Sequence, residues 1–144
     1  SSPFPEARFR PQIELRCADT ASPSMALALC ALVKGWFYDE TALDAVEAAV
    51  ERWSHPAIVA AWEAGHRQGL AAPGPDGRIL LEHARELVSL ARLDPAEESW
   101  LEPIRGLLAG GRSQGETQAD QAAEDLPAAL EDLASQNRCG RAYG

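Results

Sequence analysis

In "QIELRCAD", residues 12–19, a glutamate and an arginine stand two positions apart, at Glu14 and Arg16. Side chains of an extended chain alternate faces with a period of two, so Gln12, Glu14 and Arg16 share one side, neighbours roughly 7 Å apart. Ile13, Leu15 and Cys17 take the other. The segment therefore reads as a short β-strand with an apolar face and a face that presents an anion beside a cation. A carboxylate offers hard oxygen ligands, and a guanidinium offers a planar fork of donors that never loses its charge. On their own, two such groups most simply form an ion pair on a solvated surface.

Other chemistries find little support. Cys17, Cys30 and Cys139 form no C-x-x-C motif, zinc spacing or even disulfide framework, which fits a reducing cytoplasm. His55, His66 and His83 share no i, i+4 spacing and read as ordinary structural or surface residues. The loop "AAPGPDGR" has two prolines and two glycines, but no Gly-Lys-Ser/Thr follows it, so it is a turn cluster and not a phosphate cradle.

A net charge of −9 with a single lysine, Lys34, argues against nucleic acid or an anionic membrane as partner, since both reward clustered Lys and Arg. No apolar run approaches the roughly 18–20 residues of a membrane span. The chain opens with Ser1, and its one methionine, Met25, lies inside the first helical pattern. The expectation is a trimmed product or the C-terminal part of something larger.

The elements that must carry the strand are helical. Ser22 or Ser24 can cap a helix through "MALALCALVKGWFYD", apolar at almost every position to Val33 and so expected to be buried on most sides, against a sheet. Thr41 is the expected cap of "ALDAVEAAVERW", with Leu43, Val46, Ala49, Val50 and Trp53 on its packing stripe. Ser54 and Pro56 open "SHPAIVAAWEAGHRQGL", which Gly65 or Gly69 would end. "ILLEHARELVSLARL" places Leu80, Ala84, Leu87, Val88 and Ala91 on one face. In "DPAEESWLEPIRGLLAGG", Asp94 is the expected N-cap and Pro103 a kink or split. Thr117 is the expected cap of the last helix, "GETQADQAAEDLPAALEDLASQN". Trp36, Trp53, Trp62 and Trp100 read as core or interface anchors.

The flanks of the strand carry a family likeness. Phe4, Pro5, Glu6 and Arg8, then Glu14, Arg16 and Asp19, then Gly35, Tyr38 and Asp39 resemble the plant and proteobacterial type of glutamate–cysteine ligase. "GLAAPGPDGRILLEHARELVSLAR" and "GETQADQAAE" continue the likeness, which spans almost the whole chain but only the C-terminal third or so of a family enzyme. The tryptophan and paired arginines that plant members carry after the aspartate are absent, replaced by "TASPSMALAL".

The resemblance implies a fold of mainly α character with one N-terminal β-strand, the C-terminal segment of an α+β glutamine synthetase-like ligase. Residues 1–20 would complete an active-site sheet formed by upstream sequence, and residues 21–144 would be a helical region of about five to six helices. It also implies that Glu14 binds Mg²⁺ and that Arg16 is catalytic, steadying the γ-phosphate of ATP or the glutamyl phosphate. Arg8 and Arg10 are further candidates for contacts with substrate carboxylate or phosphate. The implied substrates are glutamate, cysteine and ATP, and the implied partner is the upstream part of the same enzyme, fused or separate. Asp19, Tyr38 and Asp39 read as turn and helix-end residues.

Overall fold

The protein is seen in a computed structural model that describes residues 7–9, 11–15, 18 and 21–136. Two three-residue strands come first, β1 (Ala7–Phe9) and β2 (Ile13–Leu15). They pair antiparallel, with Ala7 opposite Leu15, Arg8 opposite Glu14 and Phe9 opposite Ile13. The expected strand is thus present at Ile13–Leu15, and it has a partner within the chain that was not foreseen. Its apolar face is not covered by the described residues: Ile13 is 60% and Leu15 44% exposed.

Seven helices follow among the described residues: α1 (Pro23–Phe37), α2 (Glu40–Glu51), α3 (His55–Gln68), α4 (Leu80–Leu90), α5 (Glu102–Gly110), α6 (Gln114–Glu124) and α7 (Leu126–Gln136). Short 3-10 turns at Gly69–Ala71 and Glu98–Leu101 connect α3 to α4 and lead into α5. The core lies where α1, α4 and α5 meet. Ala31, Leu32, Val88, Leu101 and Leu108 are buried there, flanked by Trp36, Leu81, Ala84 and Ile104. The Trp36 indole N–H donates to the Leu87 carbonyl at 2.8 Å, which ties α1 to α4 without leaving a buried donor unpaired.

Ser22 caps α1, its hydroxyl accepting from the Met25 N–H, with Pro23 in the first turn. The expectation that α1 is buried on most sides is corrected. Only Ala28, Ala31, Leu32 and Gly35 are buried, at the i, i+3, i+4, i+7 spacing of a single stripe, while Leu27 and Phe37 are 59% and 49% exposed.

Three caps also differ. Asp39, extended at φ −119°, caps α2 in place of Thr41, its Oδ1 accepting from Ala42 N–H at 2.8 Å. The reason is that α1 stops at Phe37, leaving Asp39 as the first residue free to turn back on α2. Asp94 caps no α-helix; its carbonyl accepts from Glu97 N–H in a turn. Pro103, lacking an N–H and crowding the residue before it, fixes the start of α5 at Glu102 and splits the expected helix. Ser113, not Thr117, opens α6, in a reciprocal capping box with Glu116. Asp125, extended at φ −152°, ends α6 just ahead of Pro127, so the last expected helix is two.

Candidate functional site

The β1–β2 hairpin carries two of the expected site residues, Arg8 and Glu14. Its register sets position 8 directly opposite position 14, and directly opposed positions of an antiparallel pair lie on one face, with Cβ atoms about 5 Å apart. Arg8 and Glu14 therefore occupy one register position, and Glu14 is half-buried there. Arg16, Arg10 and Asp19 lie outside the described residues, as do Cys17 and Cys139. Of the sequence-predicted site, the structure brings together Arg8 and Glu14 by backbone register.

Glu14 supplies one hard oxygen-donor carboxylate. Among the described residues no group of three His, Cys, Asp or Glu side chains converges as a metal cage. The described residues alone do not fit a bound Mg²⁺, which takes six oxygens and usually one or two carboxylates beside substrate phosphates.

Two charged clusters on the helical body escaped the sequence reading. At the corner between α3 and α4, the buried His83 ring donates or accepts at both nitrogens. Its Nε2 lies 2.8 Å from Asp76 Oδ1 and its Nδ1 3.2 Å from an Arg78 amine. Because arginine only donates, Nδ1 accepts, and Nε2 carries the hydrogen that goes to Asp76. Desolvation works to raise the Asp76 carboxyl, but hydrogen bonds from the Arg78 backbone and side chain and from His83 outweigh it and hold it at about 2. Arg78 also reaches Glu86 at 2.8 Å, lowering that carboxyl. Trp53 meets the His83 ring edge-on, with centroids 5.0 Å apart. Glycine is required at position 74, where a Cβ would lie 2.5 Å from His83 Cδ2. The signal was the sequence "GPDGR" followed by a histidine, but only the folded loop shows that Asp76 and His83 meet.

The second cluster joins the end of α1 to residues 91–97. Lys34 Nζ donates to both Glu97 oxygens at 2.7 Å. That hydrogen bond chiefly raises the lysine, against some desolvation. The pair is 63 residues apart in sequence, and no local pattern signals it.

The family model described as "Glutamate-cysteine ligase family 2 (GCS2)" matches residues 1–135, nearly the whole chain and including both strands. The chain belongs to glutamate–cysteine ligase family 2. No curated protein and no solved structure is matched. Membership in this ligase family makes a ligase-type enzyme the class for the chain. Among the described residues no helix is long and apolar enough to cross a membrane.

Proposed function

We propose that this chain is the C-terminal portion of an ATP-dependent glutamate–cysteine ligase of glutamine synthetase-like fold, and that the hairpin is its contribution to a composite active site. The observation that carries this reading is the family match, whose span of residues 1–135 includes the hairpin. In the reaction, a γ-carboxylate oxygen of glutamate attacks the terminal phosphorus of ATP and ADP departs. The cysteine amine then attacks the acyl carbon of the glutamyl phosphate, phosphate leaves, and the nitrogen loses a proton to give γ-glutamylcysteine.

Glu14 is the candidate carboxylate that would hold the Mg²⁺ accompanying ATP. Arg16 steadies phosphoryl charge, because a fixed guanidinium aimed at developing charge is stronger in the transition state than in the ground state. Arg8, opposite Glu14, and Arg10 serve substrate carboxylate or phosphate. One carboxylate does not hold Mg²⁺ and a nucleotide, so the remaining ligands come from strands of upstream sequence, fused or as a second chain. The cytoplasm, with its ATP and reduced thiols, is the compartment that suits this chemistry.

In the complete enzyme, Glu14→Gln and Arg16→Ala should each lower ATP-dependent ADP release and γ-glutamylcysteine formation by about a hundredfold or more, with little effect on folding. Near-normal kcat and KM in both variants would sink the assignment. A second reading, a noncatalytic helical packing domain, is favoured by one observation: α1, α4 and α5 build their core without the hairpin. That reading survives if the complete protein makes no ADP from ATP with glutamate and any amine.

A further inference from the structure

Gly35, Tyr38 and Asp39 belong to the family-like pattern, yet the proposed reaction gives them no task. The fold gives them one. Gly35 is buried, and a Cβ there would lie 2.9 Å from Ala91 Cβ and 3.2 Å from Arg92 N. The glycine thus lets residues 91–94 cross closely over the last turn of α1, and the crossing is fixed by Arg92 N–H donating to the Gly35 carbonyl at 3.0 Å. Below it a cavity of about 210 Å³ opens, lined by Lys34, Tyr38, Asp39, Arg92, Asp94 and Glu97, with Leu93.

The charges in this cavity are unequally matched. Lys34 and Glu97 are consumed by each other at 2.7 Å. Asp39 Oδ1 is committed to the α2 cap, 2.8 Å from Ala42 N. Arg92 has only a loose approach to that same carboxylate, 3.9 Å through Nε, and its side chain is 62% exposed. The Asp94 carboxylate makes no direct ion pair among the described residues, though its charge acts on Lys34, which Glu97 already holds. One under-used guanidinium and one carboxylate without a direct ion pair among the described residues, two residues apart, therefore line the same small cavity.

We propose that this cavity binds a free α-amino acid as its zwitterion, the carboxylate on Arg92 and the ammonium on Asp94. A guanidinium takes a carboxylate with two parallel hydrogen bonds, and a carboxylate takes an ammonium with charge-assisted ones. A simple anion or cation satisfies only one of the two groups and leaves the other facing like charge. The volume suits a small molecule, being below the roughly 300–1,000 Å³ of pockets that hold drug-sized ligands and cofactors. The open mouth, where Tyr38 is 85% exposed, keeps binding weak, with a Kd of about 1–10 mM. This site involves no residue of the hairpin and stands whether or not the chain acts as a ligase.

The test is a titration of the ¹⁵N-labelled chain with glycine, followed by amide shifts. Glycine is the smallest zwitterion, and it avoids glutamate and cysteine, which would also report on the reaction site. Saturable shifts are expected at Asp39, Glu40 and Arg92 through Asp94. Glycinamide, which lacks the carboxylate, and N-acetylglycine, which lacks the ammonium, should each bind at least tenfold more weakly. Arg92→Gln and Asp94→Asn should weaken glycine to the same extent. Absence of saturable shifts up to about 50 mM glycine overturns the proposal. So does glycinamide or N-acetylglycine binding as well as glycine, a comparison on the unaltered chain that needs no variant to fold.

Discussion

The helical body and the N-terminal hairpin are held by different things. In the body, α1, α4 and α5 enclose Leu101, which is fully buried, and the connections between them are pinned by cross-element bonds such as Trp36 to Leu87 and Arg85 to Leu108. The strands of the hairpin make their main contacts with each other, and Ile13 and Leu15 stay open. An isolated two-stranded hairpin is marginal in water, whereas a helix that buries a stripe against two neighbours is not. The residues proposed for chemistry and the residues that build the core thus lie in separate parts of the chain. Each can be perturbed without the other.

The largest effect that checks this separation is on stability. Leu101→Ala should destabilise the chain by about 3 kcal/mol, since it removes a fully buried side chain from packed neighbours and leaves a cavity. Ile13→Ala, at a side chain 60% exposed, should change stability by less than about 0.5 kcal/mol. Urea denaturation followed by circular dichroism reads both. If Ile13→Ala costs as much as Leu101→Ala, the hairpin is part of the core and the separation fails.

What the sequence made legible follows the same division. Helix positions follow from 3.6-residue periodicity, a signal that each segment carries within itself; Ser54 is legible as a cap because Pro56 marks the first turn, whereas Ser22 and Ser24 are equal candidates for α1 and the fold selects Ser22. Position 39 was misjudged because capping depends on where the preceding helix stops, and that is set by the packing of α1. The facing of Glu14 was legible from strand alternation. Its partner strand, Ala7–Phe9, was not: three residues between Pro5 and Pro11 give no periodic run, and only hydrogen-bonded pairing identifies them. The His83 and Lys34 clusters join residues through loops whose course no local propensity dictates. The family pattern pointed to Gly35 and Asp39 but not to the segment, residues 91–94, that crosses over Gly35.

A smaller effect separates two parts of the body itself. Asp76 is held at about 2, below its ordinary 3.8, by Arg78 and His83. With the folded-state value below the unfolded one, its contribution is complete above about pH 4 and is lost as the pH falls toward 2. Glu86, lowered by its hydrogen bond to Arg78, moves in the same direction. Acid should therefore loosen the α3–α4 corner before the α1–α4–α5 core. Hydrogen exchange at pH 3 should show faster exchange at residues 74–80 while Leu32 and Leu101 stay protected. Asp76→Asn should remove most of the pH dependence at the corner. Uniform loss of protection would show that the corner and core are one cooperative unit.

The smallest expected change in stability is on the outer side of α1, and it tests what the open apolar surface is for. Leu27, Leu29 and Phe37 are 59%, 37% and 49% exposed, and they share the uncovered character of Ile13 and Leu15. Apolar side chains left open on α1 and on the hairpin offer surface that another chain could cover, and such surface favours association. In the proposed ligase this surface is covered by upstream strands; without them it is available to other copies of the chain. Leu27→Glu adds a charge where no packed neighbour is lost, so stability should shift by less than about 0.5 kcal/mol. Self-association should fall clearly, because burying that carboxylate in an apolar contact costs several times more than its exposure in the monomer. Sedimentation velocity over a concentration series reads the association, and urea denaturation reads the stability. If Leu27→Glu unfolds the chain as Leu101→Ala does, α1 is buried on this side after all; if association is unchanged, the open surface of α1 is not what draws copies together.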